Sequence, residues 1–317
     1  MSVRGKQWAT MGLSLFAGAA VLASSGCAKL GIGGGADISL PKPEHGVQLV
    51  VGPINVPAGQ EVQQNWYVKA PNDKPLDIVK FEIKMSPGSH HFNIFRSNTE
   101  DIPDGTVENS FDALHWEAWD LVVDSQAQNF VWELPQGVAF RLEPHQQMNL
   151  QIHYVNASTQ KTEGGVGKAI LNMYEAQPGT VKEYLGGLFA QNREITLPPH
   201  AESTFSKTCK FPQDVNLAMT TGHFHSRGKT FVMYKKNLDG SRGPEIYRSE
   251  NWDEPPMKTF ADPIPFKKGE GIEYVTTYVN NTDRIIGFGP HVETDEHSNM
   301  FAFYYPALPG SKSIYCF

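Results

Sequence analysis

Three short segments of this 317-residue chain concentrate imidazoles: the pair His90-His91, His153 within Leu150-Gln151-Ile152-His153-Tyr154, and His223-Phe224-His225. Imidazole ligands suit copper, zinc, iron or nickel. Residues i and i+2 of a strand project to one face, so His223 and His225 can chelate one ion. Adjacent strand residues face opposite ways, so His90 and His91 can share an ion only beside a turn or twist. Pro87-Gly88-Ser89 supplies such a turn immediately before them. A single His on an apolar strand is ordinarily a satisfied core residue, and His153 gains its meaning from the other four. His45, His115, His145, His200 and His291 have no such context and read as structural or surface residues.

The elements that must position these side chains read as strands. Residues 48–51, 62–68, 78–85, 90–96, 148–155, 230–234, 273–279 and 300–305 are rich in Val, Ile, Phe and Tyr and are bounded by Gly, Pro, Asn and Asp. Pro87-Gly88 makes a tight turn between two of them, and Asn280-Asn281 ends another. Residues 110–120 read as a short helix or an aromatic loop, with Trp116 and Trp119 as core plugs. With 29 Gly and 22 Pro the composition is that of a turn-rich, all-β protein. The polar stretch 192–195 and Pro198-Pro199 mark a boundary between two β-sandwich domains, 45–192 and 193–317.

The first 26 residues read as a targeting segment. Arg4 and Lys6 precede an apolar stretch at 11–22, followed by Ala23-Ser24-Ser25-Gly26-Cys27. This resembles a bacterial lipobox with Ser24 in the usual Leu place, which implies lipidation of Cys27. Lys29 after Ala28, with no Asp at the second mature position, resembles lipoproteins sent to the outer membrane. Export to the outer membrane, facing periplasm or cell surface, follows, with Gly-rich residues 27–44 as a flexible tether. The lipid is then the sole contact with membrane. A net charge of −7, with no run of Lys or Arg, argues against a nucleic-acid partner. After Cys27, Cys209 and Cys316 are an even pair, a disulfide candidate in an oxidising compartment. Thiolate ligands are then unavailable. Lys229 stands where a cupin needs Glu, and no carboxylate has the zinc-protease spacing. Copper leads zinc as the expected ion, helped by export.

The ordered histidine segments resemble the copper type II, ascorbate-dependent monooxygenases, the family of peptidylglycine α-hydroxylating monooxygenase and dopamine β-monooxygenase. Ser89-His90-His91-Phe92 looks like the family's His-His motif, the segment at His153 like its third ligand, and Gly222-His223-Phe224-His225 like its His-x-His motif. The intervals are similar too, 62 residues from His91 to His153 and 70 from His153 to His223. The resemblance implies tandem jelly-roll-like sandwiches holding two coppers per chain, far apart across a solvent-filled cleft. His90, His91 and His153 would form an electron-transfer site. His223 and His225 would belong to the site where O2 and a small organic substrate meet, with an external reductant such as ascorbate. Gln151, two residues before His153, would help order the path between coppers. Cys209 and Cys316 stand where the family has a disulfide.

The chain departs from this pattern near its C-terminus. Aligned without gaps, Asp295-Glu296-His297-Ser298-Asn299 puts His297 in the place of the family's sixth ligand, a Met, whereas a three-residue insertion would restore that role to Met300. A third imidazole is harder than a thioether and better suited to Cu(II). Asn299 and Tyr304 match positions on the substrate side, but Thr221 and Phe301 replace the Arg and Tyr with which peptide-amidating members hold a substrate carboxylate. Peptide amidation is therefore not expected. Three readings remain: a copper monooxygenase for another small substrate, a non-catalytic copper-binding lipoprotein, and a jelly-roll ligand-binding module with structural histidines.

Overall fold

The computed structural model describes residues 38–99, 101–111, 118–157, 165–253 and 255–317. The targeting segment, Cys27 and residues 28–37 of the expected tether lie outside them, as do His115 and Trp116. Among the described residues the regular elements are strands and one 3-10 turn, Pro309–Ser311. Among the described residues no helix is long and apolar enough to cross a membrane. The chain is all-β, as its composition predicts.

One sheet of the first sandwich runs β1 (Gly46–Val56), β10 (Gly165–Glu175), β3 (Leu76–Met85), β8 (Val138–Leu142), β11 (Glu183–Tyr184), with β7 (Asn129–Glu133) also on β3. Its second sheet runs β5 (Thr106–Asn109), β2 (Gln60–Lys69), β9 (Gln147–Asn156), β4 (Ser89–Ser97), β6 (Trp119–Ser125). In the second sandwich one sheet runs β18 (Lys258–Phe266), β15 (Val215–Phe224), β21 (Ser298–Tyr305), β12 (Gly186–Gln191), β22 (Ile314–Cys316). The other runs β14 (Ala201–Lys210), β19 (Gly271–Asn280), β16 (Gly228–Lys236), β17 (Arg242–Ser249), and the short pair β13 (Thr196–Leu197) and β20 (Ile286–Gly287) stands apart.

The eight principal strands of the first half are β1, β2, β3, β4, β6, β8, β9 and β10; those of the second are β12 and β14 to β19 with β21. Both halves then show the same order, first–eighth–third–sixth in one sheet and second–seventh–fourth–fifth in the other. This is a jelly roll, made twice. Each of the eight segments expected as strands lies within one.

The anticipated boundary at 192/193 moves. β12 pairs with β21 and β22, so the chain has entered the second roll by Gly186, before the Pro198-Pro199 break. Residues 38–44, expected in the tether, are anchored from Ile38 onward: the carbonyls of Ile38, Leu40 and Pro41 accept hydrogen bonds from Lys168, Gln48 and Asn172.

The sheet containing β12, β15 and β21 is buried on both faces. Alternation sends Leu188, Ala190, Met300, Ala302 and Tyr304 into the core of the second roll. It sends Phe189, Phe301 and Phe303 across the seam, into the core cluster of the first. Strands covered on both sides read as unbroken apolar runs, as 300–305 does. Phe189 and Phe301 share a cavity lining with His91, Asn93, Phe95 and Gln151 of β4 and β9, Phe303 packs on Trp132 of β7 (5.0 Å), and this seam holds the histidines.

Candidate metal centre

His91 on β4 lies directly opposite His153 on β9. The register slips between Ser89 and His91, so His90 is an extra residue against β9. Such a bulge re-aims a side chain, and it solves the facing problem that two adjacent histidines pose. The turn before it needs Gly88, whose φ is +90° and whose missing side chain leaves room for the Tyr154 ring. On the other side of the seam His223 is the last residue but one of β15, His225 follows that strand in a turn closed by Gly228 N–H on the His225 carbonyl (2.9 Å), and His297 directly precedes β21.

These six imidazoles form one group. Within the first half the ring centres are 5.4 Å (His90–His91), 5.2 Å (His90–His153) and 5.1 Å (His91–His153) apart. Across the seam they are 5.1 Å for His90–His223, 5.5 Å for His91–His223 and 6.2 Å for His90–His225. His297 completes the group, 4.5 Å from His225 and 5.6 Å from His223. The wide solvent-filled cleft implied by the resemblance is therefore not seen; the apolar packing of Phe189, Phe301 and Phe303 closes it.

Burial, reinforced by the neighbouring imidazoles, holds His90, His91, His223 and His297 well below the usual histidine pKa. Burial likewise brings His225 down to about 4, against a hydrogen bond that favours its charged form. Neutral imidazole is the form that binds metal. The rings are also oriented from behind, as metal-ligating histidines usually are. His223 Nδ1 donates to Gln126 Oε1 (2.9 Å), and the Gln126 amide donates to both oxygens of fully buried Asp124 (2.9 and 3.0 Å). His225 Nδ1 donates to the Asp295 carbonyl (3.0 Å). His153 Nε2 donates to Glu61 Oε2 (2.9 Å), whose other oxygen accepts from His291 Nδ1 (3.2 Å). Burial would raise the Glu61 carboxyl, but His153 and His291 outweigh it and hold the pKa below its ordinary value. His90 Nε2 and His297 Nδ1 are buried with no hydrogen-bond partner. Buried ring nitrogens are costly when unpaired, and a metal ion would satisfy both.

Two further groups fix the segments carrying His225 and His297. The buried Glu296 carboxylate accepts the backbone N–H of His225 (3.1 Å) and of Arg227 (2.9 Å). Tyr278 Oη donates to the His297 carbonyl.

A cavity of about 250 Å³ opens beside His91, His223 and His297. Phe95, Phe111, Phe189, Phe288 and Phe301 give it aromatic walls, and Gln63, Asn93, Gln151, Gln191 and Asn299 supply amides. Asn93 donates to Gln151 Oε1 (3.1 Å) and Gln151 donates to Asn65 Oδ1 (3.1 Å), while Asn93 Oδ1 and Asn299 Oδ1 are buried without a partner. Arg193 reaches the cavity with its Nε on Gln191 Oε1 (2.7 Å) and its guanidinium over the Phe317 ring (4.6 Å).

The structure brings His90, His91, His153, His223, His225 and His297 together and sets Gln151 and Asn299 on the cavity wall. It does not bring Met300 or Tyr304 there. Both side chains are fully buried in the second roll's core, because their positions on β21 alternate with those of Asn299 and Phe301. Tyr304 packs against Phe211 (5.5 Å). Cys209 and Cys316 form the expected disulfide. Glu61, Gln126, Asp124, Arg193 and His291 were missed. Their faint signal is an amide-and-imidazole face on strands that otherwise alternate normally: Gln63 and Asn65, His91 and Asn93, Asn149, Gln151 and His153. A solvent face would carry Lys and Glu.

No protein-family model and no curated protein matches the sequence. Solved structures similar to it include virus shell proteins. The STIV MCP is 9% identical with a TM-score of 0.28, over 83% of this chain and 93% of that one. The PBCV-1 virus capsid is 9% identical with a TM-score of 0.25, over 84% and 95%. The infectious bursal disease virus VP2 subviral particle is 8% identical with a TM-score of 0.21, over 88% and 77%. Likenesses this weak carry no argument about what this chain does.

Proposed function

We propose that this chain is a copper-dependent monooxygenase that hydroxylates a C–H bond of a small organic substrate. The reaction consumes O2, two external electrons and two protons, and yields the alcohol and water. The observation that carries the reading is the gathering of six imidazoles, three from each roll, of which His91, His223 and His297 line one cavity. Two unpaired ring nitrogens, the rear hydrogen bonds and the absence of any thiol or thioether from the group fit copper held by imidazole. Copper supplies one-electron cycling between Cu(I) and Cu(II) and the activation of O2. We assign two ions per chain, reduced from outside by a donor such as ascorbate.

The chain's own residues do the rest. Gln126, Glu61 and the Asp295 carbonyl fix the tautomers and tilt of His223, His153 and His225. The Phe walls exclude water from a bound substrate, and the unpaired oxygens of Asn93 and Asn299 accept its hydrogen-bond donors. With Met300 in the core, the sixth imidazole is His297. We also retain export and lipidation at Cys27 as part of the proposal.

The second reading, a copper binder without turnover, is favoured by one feature. An all-imidazole group favours Cu(II) more than a thioether site does. The test is copper analysis of the loaded protein followed by anaerobic reduction and exposure to O2. Two coppers and reductant-dependent O2 uptake are expected. Two coppers without uptake under any reductant select the binder, and no copper at all defeats both readings.

A further inference from the structure

We infer that one copper is held across the seam, by His90 of the first roll together with His223 and His225 of the second, leaving His91 and His153 to the other ion. The inference rests on the copper reading above and sorts its ligands in a way that motif order does not. Among the described residues, His90, His223 and His225 are the one set of three metal-ligating side chains whose donor atoms all lie within 4.8 Å of one another. The sets that follow chain order, His90 with His91 and His153, or His223 with His225 and His297, do not meet that distance.

Three independent features support the assignment. The bulge at His90 turns its ring out of the row made by His91 and Asn93, and its Nε2 is buried with nothing to bond. Both second-roll rings spend Nδ1 on an acceptor, His223 on Gln126 and His225 on Asp295, which leaves Nε2 of each for metal. Copper–imidazole bonds of about 2.0 Å put ligand nitrogens roughly 3.3 Å apart, so the set closes with movements on the order of an ångström. His297, 4.5 Å from His225 in ring centres and with Nδ1 unpaired, closes the fourth side. His91 and His153, directly opposite on β4 and β9, remain a pair, with Glu61 behind His153. An ion so placed fastens the two rolls to each other. Gln126 strengthens the same link, since a residue following β6 of the first roll orients a ligand of the second.

The experiment is copper content of the full chain carrying paired substitutions, read by metal analysis, with X-ray absorption of the Cu(I) form counting imidazoles at each remaining ion. His90→Ala/His225→Ala removes two ligands of one ion and should keep about one copper. His90→Ala/His153→Ala takes a ligand from each ion and should keep none. The reverse pattern, one copper in the second variant and none in the first, would overturn the inference and leave the copper reading standing. Absence of copper from the unsubstituted protein would overturn both. His90→Gln/His225→Gln and His90→Gln/His153→Gln repeat the pair with bulk retained, should an alanine variant fold poorly. Copper should also slow hydrogen exchange on β4 and β15 together in the unsubstituted chain. In His90→Gln that joint protection should fall at least tenfold; protection unchanged by His90→Gln counts against the seam ion.

Discussion

The two rolls share one strand order and place their histidines on unlike sheets. In the first, His90, His91 and His153 ride on the fourth and seventh strands, in the second–seventh–fourth–fifth sheet. In the second, His223, His225 and His297 stand at the ends of the third and eighth strands, in the other sheet. The centre is therefore not one site made twice. It is made once, where two different faces meet, and each face supplies the supports of the other: Gln126 stands behind His223, and His291 reaches back to Glu61. The first roll orients with a charged carboxylate, the second with a backbone carbonyl and a borrowed amide. This asymmetry predicts that damage to either roll is felt at the centre, while damage to the supports is selective.

The largest test of that comparison is Phe301→Ala. Phe301 belongs to β21 of the second roll and packs in the first roll's core cluster. Its loss should cost about 3–5 kcal/mol, read by denaturant unfolding as a single transition for both rolls. Two separated transitions would show that the rolls are independent. Next is Asp124, whose carboxyl burial raises to about 7 against the Gln126 hydrogen bonds. A folded pKa above the unfolded value means stability is fully present below about 3.9 and is lost as pH rises toward 7. Asp124→Asn should therefore remove a contribution that falls between those limits by at most about 4 kcal/mol, read as the pH dependence of the stability difference between the unsubstituted and variant apoproteins, in which Glu296 and the buried histidines cancel. A difference that stays constant with pH would remove Asp124 from the titrating groups.

Replacing Cys209 and Cys316 by Ser should cost about 2–4 kcal/mol, since the bridge closes a loop with a sequence separation of 107. Copper content should be unchanged, and a drop would tie the C-terminal strand to the centre. The selective tests come last. Gln126→Ala should weaken only the ion at His223, and Glu61→Gln only the ion at His153, each by roughly 10–100-fold. Competition titration against a chelator checks both; equal loss at both ions from either change would erase the difference between the rolls.

Much of the fold was legible because strand residues advertise themselves: every segment rich in Val, Ile, Phe and Tyr became a strand, and Pro87-Gly88 became a turn. The six histidines were legible as candidate ligands by spacing and resemblance, and the structure brings them together. Their union in one group was not legible, because it depends on two sheets distant in sequence packing face to face. Hydrogen-bond supports such as Glu61 and Gln126 carry no motif; only the substitution of amides for charges on alternating positions marks their face. One error was avoidable. Asn299 and Tyr304 are five positions apart on one strand, an odd step, so alternation alone forbids both from facing the substrate. The boundary shifted for a different reason: Gly186–Gln191 looks like the tail of the first domain until its partner β21 is known.

The unlike faces that meet at the seam make it a head-to-tail contact. A contact between identical faces closes on itself as a two-fold pair, but a head-to-tail one leaves a free copy of each face and can in principle repeat without end. Here the leftover sheet of the first roll is partly covered by residues 38–42, whose carbonyls bind its side chains. The leftover sheet of the second presents Glu202, Thr204, Lys229 and Thr277, with Lys229 on Glu202 (3.3 Å). Neither resembles the amide, imidazole and phenyl surfaces of the seam. Neither leftover face therefore offers a further roll the contact that joins these two.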